Sequence, residues 1–272
     1  MPDISELISD LDAESEAVDA LVATLPPAAW DRSTPAEGWT IAHQISHLAW
    51  TDQIAYLSVT DATSFNMALA HAADDPAGFV DRAAIEGLAP PTELLARWRA
   101  GRTALTSALA TSPQDIKLPW YGVAMSTASM ATGRIMETWA HGTDIADALG
   151  VTMPATTRLR HVLFLATRTF GFSFAAHGRS TPEAPVRLEL VAPDGSLWTY
   201  GPEEAEDRIQ GTVLDFGLVA THRRHRDDLN LRTTGPVAGA WLDVVQTFAG
   251  PPGKPRRPLR DSQKPQTTGV ST

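Results

Sequence analysis

The amino-acid sequence predicts two domains of different fold class, an N-terminal four-helix bundle followed by a small α+β domain. Through the first half of the chain, apolar residues recur at the spacing of one helix face. After Pro154 the pattern changes, and residues 186–191 carry apolar side chains at every second position, as strands do. We therefore predict a bundle over residues 1–153 and an α+β domain over residues 154–250.

Four segments of the first half are predicted helices. The first begins near Ile4 and stops at Pro26-Pro27, because proline cannot continue a helix. The second begins at Thr40, a suitable N-cap, and the fourth ends before Gly150, a suitable residue after a helix. A long connection with one short helix is expected over residues 60–90. The predicted helices cover residues 4–25, 40–58, 92–110 and 126–149.

The second half mixes helices with a β-hairpin. Residues 186–191 and 197–200 are the predicted strands, and Pro193-Asp194-Gly195 between them is a turn sequence. The tail over residues 251–272 is rich in proline and basic residues without an apolar pattern, so we predict that it is disordered. Predicted helices cover residues 159–176, 213–223 and 237–248.

Composition excludes several classes of protein. The 272 residues include 22 Lys and Arg against 32 Asp and Glu, and this net charge of −10 disfavours nucleic acid as a partner. Cysteine is absent, which excludes disulfides, Cys-ligated metals and a protein thiol nucleophile. The sequence has no run long enough for a membrane helix and no export signal at its acidic N-terminus. We expect a cytoplasmic protein without a membrane partner, and the oligomeric state stays open.

Two predicted helices carry residues that could bind a metal ion. Glu137 and His141 are four residues apart, so they share one face of the fourth helix. His47 lies beside the apolar stripe of the second helix and completes a set of two imidazoles and one carboxylate, which can hold a divalent ion and leave positions open. Asp144 lies on the same face as His141 and could orient its imidazole. His43 and His47 form an equally good pair, so spacing alone does not decide the ligands.

Two motifs carry a family resemblance. The segment GWTIAHQISHLA, residues 38–49, and the segment METWAHGTDIADALG, residues 136–150, are similar to the two signatures of the mycothiol-dependent maleylpyruvate isomerase family. That family contains a DinB-like metal-binding helical bundle. Residues 188–248 resemble its small C-terminal domain, which is related to sterol-carrier folds and is often labelled a wyosine-base-formation domain. The resemblance therefore implies the same two-domain architecture.

The resemblance implies a metal centre and a thiol cofactor. The family's ligand positions fall on His47, Glu137 and His141, with zinc as the expected ion, and His43 is left with a packing or supporting role. A low-molecular-weight thiol such as mycothiol would be a cofactor, and the substrate a small organic molecule. The implied reaction is isomerisation or thiol transfer, since a metal-bound thiolate can add to an activated double bond or displace a leaving group.

Further residues are candidates for contacts in the same active site. Trp120, Tyr121 and Arg134 are close in sequence to the metal ligands of the fourth helix, and we predict that they line the cofactor pocket. The C-terminal domain of the family contributes an arginine to the active site. By this resemblance, Arg223 and Arg224 are the candidate catalytic residues.

Two alternative functions remain. A metal-dependent hydrolase would use the same ligands to activate water instead of a thiol. A non-enzymatic binding protein would hold an apolar small molecule with the aromatic residues of its second domain, which are Phe170, Phe172, Phe174 and Trp198.

Overall fold

Six α-helices form the first unit of the chain within the described residues. The structure is a computed structural model that describes residues 3–76, 78–122, 124–253 and 256–259. The chain divides into two units, of which the first ends at Pro154 and the second begins at Ala155. The helices of the first unit are α1 (Ile4–Val22), α2 (Ile41–Thr60), α3 (Ala62–Ala73), α4 (Phe79–Glu86), α5 (Pro91–Thr111) and α6 (Thr127–Leu149).

Local capping fixes the ends of the long helices. The Asp3 carboxylate accepts a hydrogen bond from the backbone N–H of Ser5, and the Ser126 hydroxyl accepts one from the N–H of Ser129. These side chains satisfy backbone donors that the first turn leaves unpaired. Gly150 ends α6 in the left-handed region, at φ 70°, where a residue without a Cβ avoids strain.

The four long helices pack in a closed ring. α1 contacts α5 and α6, and α2 contacts the same two helices from the other side. Two apolar clusters fill the interior, one around Ile45 and Trp98 and the other around Leu11 and Leu105. Along α2, the buried Asp52 lies between residues of the two clusters. The predicted four-helix bundle is therefore confirmed, with a polar layer inside it.

An ion cluster joins α1 to α5. The buried Asp19 carboxylate accepts hydrogen bonds from Arg99 Nε at 2.7 Å and Arg99 Nη2 at 2.6 Å, and Arg102 Nη2 lies 3.2 Å away. The hydrogen bonds from Arg99, aided by the charges of both arginines, outweigh the effect of burial and lower the pKa of Asp19 below 3.8. The carboxylate is therefore ionised throughout the neutral range.

We expect Asp19→Asn to lower the free energy of unfolding by about 1–2 kcal/mol at pH 7, since charge-assisted hydrogen bonds are lost and solvent screens the half-exposed Arg99. A carboxyl group with a lowered folded pKa stabilises the fold above its unfolded pKa and loses that effect as the pH falls. The difference from wild type should thus shrink below pH 3.8. Urea unfolding across pH 2–7 measures it, and a constant difference would contradict this prediction.

The connection between α2 and α5 contains two helices instead of the one that the sequence predicted. Asp61 caps α3, because its carboxylate accepts hydrogen bonds from Thr63 N and Ser64 N, both at 3.1 Å. α4 is joined to α2 by a hydrogen bond from the Ser46 hydroxyl to the carbonyl oxygen of Ala84 at 2.7 Å. The alanine-rich sequence has too few large apolar residues for its helical period to be visible.

The second unit combines helices with a mixed sheet. The strands lie in the order β2-β1-β3-β4, with β1 antiparallel to β2, β1 parallel to β3 and β3 antiparallel to β4. This fold class was predicted and is confirmed. Its elements are α7 (Leu159–Arg168), α8 (Phe170–Ala176), β1 (Val186–Val191), β2 (Leu197–Tyr200), β3 (Asp207–Thr212), α9 (Val213–Ala220), β4 (Arg232–Thr234) and α10 (Pro236–Leu242).

The predicted hairpin is present, but other elements of the second unit differ from the prediction. The expected helix over 159–176 is broken at Thr169, whose hydroxyl donates a hydrogen bond to the carbonyl oxygen of Gln246 at 2.6 Å. α9 and α10 end earlier than expected, at Ala220 and Leu242. β3 and β4 were not predicted, because the polar residues of these strands show no apolar alternation.

Part of the predicted disordered tail makes contacts with the second unit. Arg256 Nε donates a hydrogen bond to the carbonyl oxygen of His222 at 3.2 Å, and Leu259 N donates to the carboxylate of Asp228 at 3.0 Å. The remainder of that tail, residues 254, 255 and 260–272, lies outside the described residues. In the part of the chain that is described, no helix combines the length and the hydropathy needed to cross a bilayer.

Candidate metal centre

Three side chains that can bind a metal converge inside the bundle. His47 comes from α2, and Glu137 and His141 from α6. Glu137 Oε2 lies 3.2 Å from His141 Nε2 and 3.6 Å from His47 Nε2, and the two imidazole centroids are 4.4 Å apart. The His47 and His141 side chains are 8% and 12% exposed, against 24% for Glu137. These three side chains form a candidate metal cluster, which is mostly buried, and Glu137 has the most contact with solvent.

The separations between the donor atoms fit a small divalent ion. Zinc binds nitrogen and oxygen ligands at about 2.0–2.2 Å with tetrahedral geometry, which places neighbouring ligand atoms about 3.3–3.6 Å apart. The observed separations of 3.2 Å and 3.6 Å lie close to the two ends of that range. Two imidazoles and one carboxylate also leave a coordination position for a further ligand. The residues present therefore fit the metal that the sequence implied.

The charge of the cluster suits a cation. Burial by itself raises the pKa of Glu137, but hydrogen bonds and charge interactions with His141 and His47 outweigh it and hold that pKa well below its usual value. The Glu137 carboxylate is therefore ionised at neutral pH and could serve as an anionic ligand. Without a cation, this buried carboxylate depends on the two histidines for its stabilisation.

Gln44 contacts His141 and was not predicted as a residue of this site. His141 Nδ1 lies 2.5 Å from Gln44 Oε1, so the amide oxygen accepts a hydrogen bond from the ring. Asp144, for which the sequence suggested the role of orienting His141, is buried on the same helix, and that role stays a prediction. Gln44 precedes His47 by three residues on α2, but the sequence carries no local signal for its contact with His141 on α6.

Trp39 covers the two imidazoles. Its ring is stacked on His141 at a centroid distance of 5.9 Å and lies 5.2 Å from the ring of His47. Trp39 Nε1 donates a hydrogen bond to Asp81 Oδ1 at 2.9 Å, so α4 helps to hold the indole in place. The sequence motif contained Trp39 without indicating what it does.

His43 has a different role from His47. Its Nδ1 accepts a hydrogen bond from the backbone N–H of Thr40 at 3.3 Å and lies 2.8 Å from the Thr40 hydroxyl. These contacts form a reciprocal cap at the start of α2. His43 therefore supports the helix, as the family pattern implied, and is outside the metal cluster.

A run of aromatic side chains extends from the metal cluster. His47 contacts Trp50 at a centroid distance of 5.8 Å, Trp50 contacts Phe79 at 6.0 Å, and Phe79 contacts Tyr121 at 5.5 Å. Trp120 adjoins Tyr121 at 5.3 Å. Burial raises the pKa of Tyr121 to about 12, so its hydroxyl stays protonated at neutral pH. The two predicted pocket residues are thus linked to the metal cluster through other rings.

Arg134 lies in the bundle interior, with a side-chain exposure of only 2%. Its Nε donates a hydrogen bond to Asp52 Oδ1 at 2.9 Å, and its Nη2 donates to the hydroxyl of Thr51 at 2.8 Å. Trp98 Nε1 donates to the other carboxylate oxygen of Asp52 at 3.1 Å. Arg134, predicted to line the cofactor pocket, therefore joins α6 to α2 through a buried ion pair.

Arg223 and Arg224 belong to the second unit, in the turn after α9. Arg223 Nη1 donates a hydrogen bond to the carbonyl oxygen of Thr221 at 2.6 Å, and Arg224 Nη1 donates to that of Arg223 at 2.8 Å. The preceding His222 has a positive φ of 58°, which is uncommon for a residue other than glycine. The metal cluster is formed by first-unit residues, so a catalytic role for either arginine stays a prediction.

Comparison with known proteins gives the family. The model of the mycothiol maleylpyruvate isomerase N-terminal domain matches residues 11–146, half of the 272-residue chain. The chain belongs to this family. The matched residues extend from α1 to α6 and include all three residues of the metal cluster. The suspected family is thereby confirmed.

Relatives and solved structures agree with this assignment. Two uncharacterised proteins of Mycobacterium tuberculosis, from strains CDC 1551 / Oshkosh and ATCC 25618 / H37Rv, are each 48% identical over 257 residues, covering 94% of this chain and 100% of the relative. Crystal structures of the mycothiol-dependent maleylpyruvate isomerase and of a histidine-to-alanine variant match with TM-scores of 0.58, at 16% and 15% identity, covering 84% of this chain and 92% of theirs. At such low identity the structures establish a shared fold.

Proposed function

We propose that this chain is a metal-dependent enzyme that binds a low-molecular-weight thiol, of the mycothiol type, for isomerisation or thiol transfer on a small organic substrate. The observation that carries the proposal is the convergence of His47, Glu137 and His141 in a member of this family. Zinc is the proposed ion, because two imidazoles and one carboxylate are a typical open zinc site, and the three donor atoms lie within 4.8 Å of one another.

A thiol cofactor would explain both the metal-binding residues of the chain and its lack of cysteine. A divalent ion held by the cluster would lower the pKa of a bound thiol and favour the nucleophilic thiolate at neutral pH. The chain contains no cysteine, so a thiol nucleophile must come from solution. Trp39 and Trp50 would give the bound molecule an apolar wall beside His47, and Tyr121 a further polar group.

Calorimetry with mycothiol tests the proposal. Zinc-loaded protein should bind mycothiol with release of about one proton at neutral pH, since free thiols titrate near 8.5. Titrations in two buffers of different ionisation enthalpy measure the proton release. S-methyl mycothiol is the matched control ligand, because it cannot form a thiolate and should bind much more weakly.

Each contrary outcome points to a different function. Absence of metal-dependent mycothiol binding would refute the thiol proposal. Turnover of ester or amide substrates without any thiol would then identify a hydrolase. Affinity for apolar ligands that persists after the metal is removed would indicate a binding protein.

A further inference from the structure

The polar contacts behind His141 form a continuous chain. Gln44 Oε1 lies 2.5 Å from His141 Nδ1, and Gln44 Nε2 donates a hydrogen bond to the Thr34 hydroxyl at 2.9 Å. The Thr34 hydroxyl in turn donates to the carbonyl oxygen of Trp39 at 3.0 Å. The chain therefore starts at the loop before α2 and ends at the metal cluster.

One set of hydrogen-bond directions satisfies every contact in this chain. A hydroxyl group has one hydrogen, and that of Thr34 is given to the Trp39 carbonyl, which can only accept. Thr34 must then accept from the amide nitrogen of Gln44, which turns the amide oxygen of Gln44 toward His141. An amide oxygen can only accept, so His141 Nδ1 carries a hydrogen and Nε2 is the ring nitrogen left to bind a metal.

We propose that Gln44 is a positioning residue of the metal centre, which fixes the orientation of His141 so that Nε2 faces the ion, and that Thr34 locks the Gln44 amide. This inference rests on the proposed metal binding and adds two residues to it. Partners that hold the second nitrogen of a metal-binding histidine commonly raise metal affinity about 10–100-fold.

Burial makes this contact difficult to replace. Gln44 is 0% exposed, so bulk water does not reach either of its hydrogen bonds. His47 provides the contrast, because its buried Nδ1 has no hydrogen-bond partner among the described residues. The hydrogen bond at Nδ1 thus fixes the orientation of His141, whereas His47 has no such bond among the described residues.

Two substitutions of Gln44 separate positioning from packing. Gln44→Met keeps the volume and removes the acceptor, and Gln44→Glu keeps an oxygen acceptor but introduces a charge. If Gln44 positions His141, Gln44→Met should weaken zinc binding about 10–100-fold and Gln44→Glu should retain most of the affinity. If Gln44 only fills space, Gln44→Met should retain the zinc affinity of the wild type. The buried charge of Gln44→Glu costs stability in either case, so only the zinc affinity of the folded protein separates the two roles. Competition with a chromogenic chelator measures the affinities.

Gln53→Met is the matched control, because Gln53 is an exposed residue of the same helix and should leave zinc affinity unchanged. Thr34→Val provides an independent test, since it removes the hydroxyl that holds the amide. We expect it to weaken zinc binding, by less than Gln44→Met. Unchanged affinity in both Gln44→Met and Thr34→Val would overturn the proposal while leaving the metal site intact.

Nuclear magnetic resonance of the ring nitrogens tests the orientation without relying on metal affinity. Long-range ¹H–¹⁵N spectra of wild-type protein should show a protected proton on His141 Nδ1, with or without zinc, and Gln44→Met should lose that protection. An unprotonated or unprotected Nδ1 in wild type would overturn the positioning role. A protected Nδ1 in a protein that binds no zinc would refute the proposed metal function and preserve the orienting contact.

Discussion

The purified protein is expected to contain about one zinc ion, and both His47→Ala and His141→Ala are expected to lose it. Removing one of three protein ligands should cost more than the roughly 10–100-fold typical of losing an outer partner, so the affinity should fall more than about 100-fold. Elemental analysis after dialysis, followed by chelator competition, measures the loss. Each of these histidines contributes a nitrogen within 3.6 Å of the Glu137 carboxylate.

His43→Ala is the control for this experiment. His43 is on the same helix as His47 but caps its first turn through Thr40. We expect this variant to keep its zinc and to lose about 1 kcal/mol of stability, as is typical when a cap is removed. Retention of zinc by both His47→Ala and His141→Ala would show that the ion is bound elsewhere, and loss of zinc from His43→Ala would contradict the assignment of ligands.

The sequence predicted most of the bundle and all three residues of the metal cluster. Helical periodicity is strong where large apolar residues recur, as in α1 and α2, and Thr40 and Gly150 indicated helix ends correctly. Spacing placed Glu137 and His141 on one face of α6. The choice of His47 over His43 came from the family motif, because both histidines have equivalent spacing on α2.

Other features depend on contacts between residues far apart in the chain. The orientation of His141 depends on Gln44 and Thr34, which precede it by 97 and 107 positions, and no local pattern reports such a contact. The parallel pairing of β1 with β3 is equally non-local. Arg134 also depends on a contact between residues far apart in the chain. Its sequence position near Glu137 and His141 suggested a pocket residue, whereas it pairs with Asp52 inside the bundle.

The buried pair of Arg134 and Asp52 should matter more for stability than surface ion pairs do. We expect Arg134→Met to lower the free energy of unfolding by about 3–5 kcal/mol, because it leaves the Asp52 carboxylate buried without its counter-charge. At about 2–4 °C per kcal/mol for a unit of this size, the melting temperature should fall by roughly 10 °C. Differential scanning calorimetry measures the change, and zinc content should be measured in parallel because Arg134 also holds Thr51 on the helix of His47.

The double variant Arg134→Met with Asp52→Asn tests whether the unpaired charge causes the loss. The double variant removes both charges, and its asparagine still accepts the hydrogen bond from Trp98 Nε1. It should therefore recover most of the stability.

The pH dependence of the loss gives a second test of the unpaired charge. Burial already raises the pKa of Asp52, despite the opposing charge of Arg134, and losing that charge should raise this pKa further. A carboxyl group with a raised folded pKa destabilises the fold as the pH rises above its unfolded value of 3.8. The single variant should therefore lose more stability at pH 7 than at pH 3.8, and the double variant should lack this pH dependence. An equal loss in both variants at both pH values would show that Arg134 stabilises the bundle by packing, without a contribution from its charge.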